Sequence, residues 1–239
     1  MIKQFFHNWR IKLAFYLYLK FNKSEFIVFS FVNLEKINIA WFESINAPQN
    51  APELVVSIAK FFAVDLLYAL PIFLLLYWFF GNEAKKEVVL KSIFVMFISL
   101  CVGQIVLTLF PHPRPFTLGL GSALLYHTPN SSFPSHHMTF FCSVTISFFL
   151  AKNYTFGAIL SVLSLLVAWS RIYLGVHFPF DMVGALFISL CVALLFEPVW
   201  QRIRKVIMGF SIALYTTISG KIANILHWKF CNHFVVKFR

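Results

Sequence analysis

The chain has 239 residues, 59% apolar, 19% aromatic and 12% charged, with 20 Lys+Arg against 9 Asp+Glu. Soluble domains are about half apolar and about a quarter charged, so this composition excludes a disordered chain, a disulfide mini-protein and a collagen-like fibre, and it argues against a soluble globular domain. The length suits a bundle of roughly five to seven membrane spans at about 20 apolar residues each.

Residues 1–24 mix Lys3, Arg10, Lys12, Lys20 and Lys23 with Phe5, Phe6, Trp9, Leu13 and Phe15. That pattern predicts an interfacial amphipathic helix rather than a cleavable signal. Residues 37–45 form a second amphipathic stretch, closed by a turn at 46–50. The first span is predicted at about 54–80, with an intramembrane acid, Asp65, and a kink at Pro71. A loop with Lys85 and Lys86 leads to the second span, about 88–110. Residues 111–137 are rich in Pro, Gly, Ser, Asn and His, with no acid and one base, Arg114. The third span is predicted at about 135–151, the fourth at 154–172 and the fifth at 180–200. A basic tail follows, with seven Lys/Arg and no acid after residue 200.

The expected fold is therefore all-α: a polytopic membrane bundle of about five transmembrane helices plus N-terminal interfacial helices. Its expected division is a basic segment 1–36, a membrane-embedded domain 37–200 and a tail 201–239. Basic residues at loop ends predict contact with membrane lipids and no nucleic-acid partner. Cys101, Cys142 and Cys191 lie inside apolar runs, as small apolar side chains do. Lys85, Lys86, Lys152 and the tail fall on one side of a five-span chain, which the positive-inside rule makes cytoplasmic. The loops 111–137 and 173–181 then face outward. Five spans also put the basic N-terminus outside. A sixth span over 11–34 is disfavoured by Lys20, Asn22, Lys23 and Glu25.

Five of the eight histidines, His112, His127, His136, His137 and His177, lie in the outer loops or at span ends. Arg114, Arg171 and one carboxylate, Asp181, share that face. A metal site would want spacings such as HExxH, which do not occur, so no metal and no cofactor are expected. Guanidinium groups and imidazoles suit a phosphate instead. Pro134 suits the first position of a helix, whose opening amides at Ser135, His136 and His137 would attract an anion. Pro179 marks another helix start. It leaves Asp181 four residues after His177, able to take one ring N–H and free the other nitrogen. Asp65 is a candidate support near the outer end of the first span.

Three segments recur in order: Arg114-Pro115; Pro134-Ser135-His136-His137; and Ser170-Arg171, followed by His177 and Asp181. They resemble the three-part signature of the type-2 phosphatidic acid phosphatase superfamily, KxxxxxxRP, PSGH and SRxxxxxHxxxD. Phe110 to Phe116, Ser131 to Ser135, Ala168 to Met182 and the opening 45–47 are most similar to its bacterial undecaprenyl pyrophosphate phosphatase branch, of the bacitracin-resistance type. Two positions depart. Leu107 stands where the superfamily has Lys, as is common in that branch, and His136 stands where it has Gly. His112 is a candidate replacement for the missing charge.

The resemblance implies a membrane phosphatase of undecaprenyl diphosphate acting at the outer face of the cytoplasmic membrane. His177 would be the nucleophile through a phosphohistidine, His137 the general acid and base, and Asp181 the partner that orients His177. Arg114, Arg171, Ser135 and His136 would bind phosphate, with His112, Asp65 and Ser170 in support. Other lipid phosphates, such as phosphatidate or phosphatidylglycerol phosphate, and lipid phosphotransfer are the alternatives. A transporter would need polar residues through the bilayer, and spans two to five offer little beyond Gln104.

Overall fold

The computed structural model describes residues 33–235, and every regular element among them is helical. The amphipathic helix expected over 1–24 lies outside the described residues. Helix α1 covers 33–45, crossing the boundary expected at 36/37. Helix α2 is Glu53–Phe79, α3 Glu83–Leu109, α4 His136–Leu150, α5 Tyr154–Tyr173 and α6 Pro179–Val235. A 3₁₀ turn at Pro115–Leu118 interrupts the long loop between α3 and α4.

Four helices, α2, α3, α5 and α6, are long and apolar enough to cross a membrane. The third expected span, α4, has 15 residues and is about 22 Å long at 1.5 Å per residue, short of the roughly 30 Å hydrocarbon layer. Ten of its residues are buried, because it runs through the middle of the bundle. Phe141, Val144 and Phe148 face Leu70, Leu74 and Tyr77 of α2 and Leu160 of α5. Met138, Cys142 and Ile146 face Val95 of α3 and Met182, Ala185 and Ile188 of α6. Small polar side chains on α4 are satisfied across the same interfaces: Ser143 donates to Ser189, and Thr145 pairs with Ser164, both at 3.1 Å. In lipid such close-packing residues hold helices together. Much of the aromatic excess is packing, as in the cluster of Phe73, Tyr77, Phe148 and Phe156.

Helix α2 carries a π turn at Phe61–Asp65 and stays helical through Pro71. Two expectations about the helices change. Pro134 is not the first helical residue: Ser135 caps α4, accepting from the Met138 N–H, and the helix begins at His136. A serine hydroxyl satisfies an orphan amide that proline cannot. The fifth span does not stop at 200, since α6 is one helix of 57 residues that takes in most of the basic tail.

The two ends of the bundle differ in chemistry. At one end, Lys91 of α3 pairs with Glu197 of α6, and Glu87 accepts from Trp200 Nε1 at 3.1 Å and from Arg204 at 3.3 Å. Asn153, in the turn after Lys152, donates to the Tyr77 hydroxyl, so Lys85, Lys86 and Lys152 share that end. At the other end, Asn46 clamps three segments. Its side chain donates to the Ser122 and Tyr173 carbonyls at 3.0 and 3.1 Å and accepts from the Ser122 N–H at 2.6 Å. Gly175, at φ 78°, lies so close to the Ser122 carbonyl that a Cβ would meet the oxygen at 2.1 Å. Glycine alone allows this approach, which sets the loop carrying His177.

Candidate active site

His177 follows that loop and precedes Pro179, the first residue of α6. Fixed φ at Pro179 turns the chain straight into helix, which places Asp181 in the first turn beside His177. His177 Nδ1 lies 3.0 Å from Asp181 Oδ2, and the same oxygen accepts from the Phe178 N–H at 2.8 Å. Both side chains are buried.

Arg114 reaches the other ring nitrogen. Its Nη1 is 3.1 Å from His177 Nε2 and 2.8 Å from the Val176 carbonyl. Its Nε donates to Asn130 Oδ1 at 3.0 Å and its Nη2 to the Ser131 carbonyl at 3.2 Å. A guanidinium can only donate. His177 Nε2 must therefore present its lone pair, and Nδ1 must carry the proton toward Asp181. This network assigns the tautomer. Burial first, then the charges of Arg171 and Arg114, holds the His177 imidazole well below its ordinary pKa, so the ring is neutral at pH 7. Burial also brings Arg114 down to about 10, opposed by the Asp181 charge, and the guanidinium stays charged at neutral pH.

Arg171, in the last turn of α5, is 2% exposed. Its Nη1 donates to the Ala63 carbonyl in the π turn of α2 at 3.4 Å, while Nε and Nη2 are buried with no hydrogen-bond partner among the described residues. Buried polar groups are nearly always paired, and a buried charge without hydrogen bonds is costly. Nε and Nη2 form one edge of the guanidinium, the edge that grips two oxygens of a phosphate.

His136 and His137 open α4. His137 lies within charge range of Arg171 and His177, and His136 of Arg114. His136 Nε2 is a further buried atom with no partner among the described residues. The ring of His127 stands edge-on to His177, centroids 6.2 Å apart, and burial lowers its pKa. A cavity of about 390 Å³ lined by Leu67, Leu100, Gln104, His136, His137 and Phe140 opens from this cluster between α2 and α3.

Arg114, Arg171, His136, His137, His177 and Asp181 are thus brought together. Ser135 is adjacent, but its hydroxyl caps α4 and its N–H goes to the Asp181 carbonyl at 3.3 Å. Ser170 bonds back to the Val167 carbonyl within α5. Asp65 is exposed on α2 and has no hydrogen-bond partner among the described residues. His112 packs edge-on to Phe178 and pairs with Ser132 and Glu35, not with a phosphate-gripping arginine. Asn130 and the Ala63 carbonyl were not legible in the sequence. An asparagine within a Pro/Ser-rich loop and an alanine in an apolar run carry no signal of their own.

The PAP2 superfamily model matches residues 88–205. A protein of Escherichia coli (strain K12), YbjG, carries a provisional undecaprenyl-diphosphatase name. It is 36% identical over 168 residues, 70% of this chain and 85% of that protein. The undecaprenyl-diphosphatase BcrC of Bacillus subtilis (strain 168) is 27% identical over 186 residues, 78% of this chain and 95% of the relative. The crystal structure of Aquifex aeolicus LpxE superposes with a TM-score of 0.57 at 26% identity, covering 66% of this chain and 93% of that one. The PAP2-type phosphatidylglycerolphosphate phosphatase of Bacillus subtilis has the same fold, with a TM-score of 0.53 at 20% identity over 72% of this chain and 88% of that one.

Proposed function

The chain belongs to the PAP2 superfamily, as a multi-pass membrane phosphatase, and from that premise we propose that it converts undecaprenyl diphosphate to undecaprenyl phosphate at the outer face of the cytoplasmic membrane. The product is the carrier lipid in reusable form, and its turnover would confer bacitracin resistance. The observation that carries the reading is the forced tautomer of His177: a buried, neutral imidazole with its Nε2 lone pair facing Arg114.

In the proposed reaction, His177 Nε2 attacks the terminal phosphorus. The bond to the bridging oxygen breaks and undecaprenyl phosphate leaves. The positive charge that grows on the ring is balanced by Asp181 through Nδ1–H. Arg114 passes from Nε2 to a phosphate oxygen, and the free edge of Arg171 grips two more. The N–H groups at the start of α4 and His136 complete the cradle. His137 protonates the leaving oxygen, then takes a proton from water as that water displaces the phosphoryl group from His177. The cavity between α2 and α3 gives the lipid a lateral approach at the level of His137.

Phosphate release from a panel of undecaprenyl diphosphate, phosphatidylglycerol phosphate and phosphatidate, by purified protein in EDTA, tests the reading. The diphosphate is expected to be turned over best, and His177→Ala to be inactive on all three. Preference for a monophosphate, or transfer of the phosphoryl group to a lipid acceptor without free phosphate, would replace the substrate. Dependence on a metal would replace the mechanism.

A further inference from the structure

The cavity beside His137 is lined by one polar side chain that the proposed reaction leaves unused. From Ile93 to Leu109, α3 carries no charge, and Gln104 is its only carboxamide. It lies about 8 Å inside the outer end of the helix, at 1.5 Å per residue. Its backbone carbonyl accepts from the Thr108 hydroxyl at 2.9 Å, while its carboxamide has no partner among the described residues. Polar side chains at membrane depth ordinarily bond across to a neighbouring helix, because lipid tails offer them no partner. Gln104 instead lines the cavity of about 390 Å³ together with His136 and His137, and the rest of that lining is Leu67, Leu100 and Phe140.

His136 brings a second unused group to the same cavity. Its Nε2 is buried with no partner among the described residues. The ring needs no charge to donate there, since a neutral imidazole can carry its hydrogen on Nε2, and the Gln104 carboxamide adds two N–H donors. Uncharged donors from α3 and α4 thus meet in an otherwise apolar cavity. The in-line course of the reaction says what they meet. His177 Nε2 takes the terminal phosphorus, and the bridging oxygen leaves on the far side, where His137 protonates it. His137 is also a wall of the cavity, so whatever follows the bridging oxygen lies in it. In a lipid diphosphate that group is a second phosphate. In a lipid monophosphate it is carbon, which accepts no hydrogen bond.

We propose that Gln104 and the His136 ring form a subsite for the phosphate that stays on the lipid, making Gln104 a specificity-determining residue for diphosphate over monophosphate substrates. The proposal rests on His177 attacking the terminal phosphorus. No bond changes within the subsite. It holds the phosphate that departs as undecaprenyl phosphate, and its donors are in place as negative charge grows there with the breaking of the bridging bond.

The test is calorimetric binding of methylenediphosphonate, a diphosphate analogue with no bridging oxygen to cleave, against inorganic phosphate, on purified protein in detergent. Wild type is expected to bind the diphosphonate about tenfold or more tighter than phosphate, the size of one hydrogen bond to a charged group. Gln104→Leu should weaken the diphosphonate about tenfold, leave phosphate within about twofold, and lower kcat/KM on undecaprenyl diphosphate by the same factor as the diphosphonate. Its Tm should be no lower than that of wild type, since an unpaired carboxamide gives way to an apolar side chain at lipid depth. Gln104→Glu, which sets a carboxylate against the phosphate, should lose more than Gln104→Leu, and it carries the comparison if Gln104→Leu does not fold. His136→Gly should lose the diphosphonate more than phosphate. Equal affinity of wild type for the two anions, a Gln104 variant within twofold of wild type on the diphosphonate, or equal losses on both anions would overturn the subsite. Those results beside wild-type turnover of undecaprenyl diphosphate leave the substrate reading in place. Selective diphosphonate binding in a protein that turns over only monophosphate lipids would instead overturn the substrate reading and keep the subsite.

Discussion

Arg171 offers the sharpest separation of binding from stability. It is buried, spends only Nη1 on the Ala63 carbonyl, and leaves the Nε/Nη2 edge without a partner among the described residues. A charge-assisted hydrogen bond contributes about 1.5–3 kcal/mol. Arg171→Lys keeps the charge and offers one such bond where the fork offered two. At about 1.4 kcal/mol per tenfold, kcat/KM should fall roughly 10- to 150-fold. Arg171→Met removes both bonds and the charge, for a fall of about 10²- to 10⁴-fold. The stability effect has the opposite sign. Replacing a buried cation without a counter-charge by an apolar side chain of similar length should leave Tm unchanged or raise it when no phosphate is present. Phosphate release from undecaprenyl diphosphate in detergent, paired with thermal unfolding of each variant, reads both. Arg171→Lys within threefold of wild type would refute the fork. So would losses of activity and Tm that run in parallel, since they would make Arg171 a structural ion.

Three further outcomes are expected. ¹⁵N-histidine NMR should show His177 as the Nδ1–H tautomer, neutral through pH 6, because burial and two arginines hold its pKa well below 6.5; an imidazolium at pH 6 would contradict this. The unfolded chain binds that proton first, so His177 costs no stability above about pH 6.5 and progressively destabilises the fold as pH falls below it. His137→Ala should cost a diphosphate substrate less than a phosphatidate, by about tenfold or more, since a phosphate monoester leaves with less acid help than an alkoxide; equal losses would remove His137 as the general acid. Asn46→Ala should lower stability by about 1–3 kcal/mol, because it strands the Ser122 and Tyr173 backbone groups, and should lower kcat/KM by shifting the His177 loop.

What could be read from the residues follows a physical line. Spans α2, α3 and α5 announce themselves because apolar length is the requirement a bilayer imposes. The His177–Asp181 pair was legible because a helix started by Pro179 brings residues four apart onto one face. The role of α4 was not legible, since an apolar run buried in protein and one buried in lipid look alike. Only its 15-residue length separates them. The continuation of α6 past residue 200 was hidden because Arg202, Arg204 and Lys205 end an apolar run without ending a helix. Nor could the partners of His112 be read. Glu35 is far away in sequence, and its pairing depends on α1 folding back over the start of α6. The π turn that gives Arg171 the Ala63 carbonyl has no residue signature.

The central claim is a phosphoryl group carried on His177. Undecaprenyl diphosphate labelled in its terminal phosphate, mixed with enzyme and quenched in alkali within one turnover, tests it most directly. An acid-labile, alkali-stable label is expected on the peptide containing His177, enriched in His137→Ala where water is no longer activated, and absent in His177→Ala. Label on another residue, or turnover by His177→Ala at the wild-type rate, would contradict it.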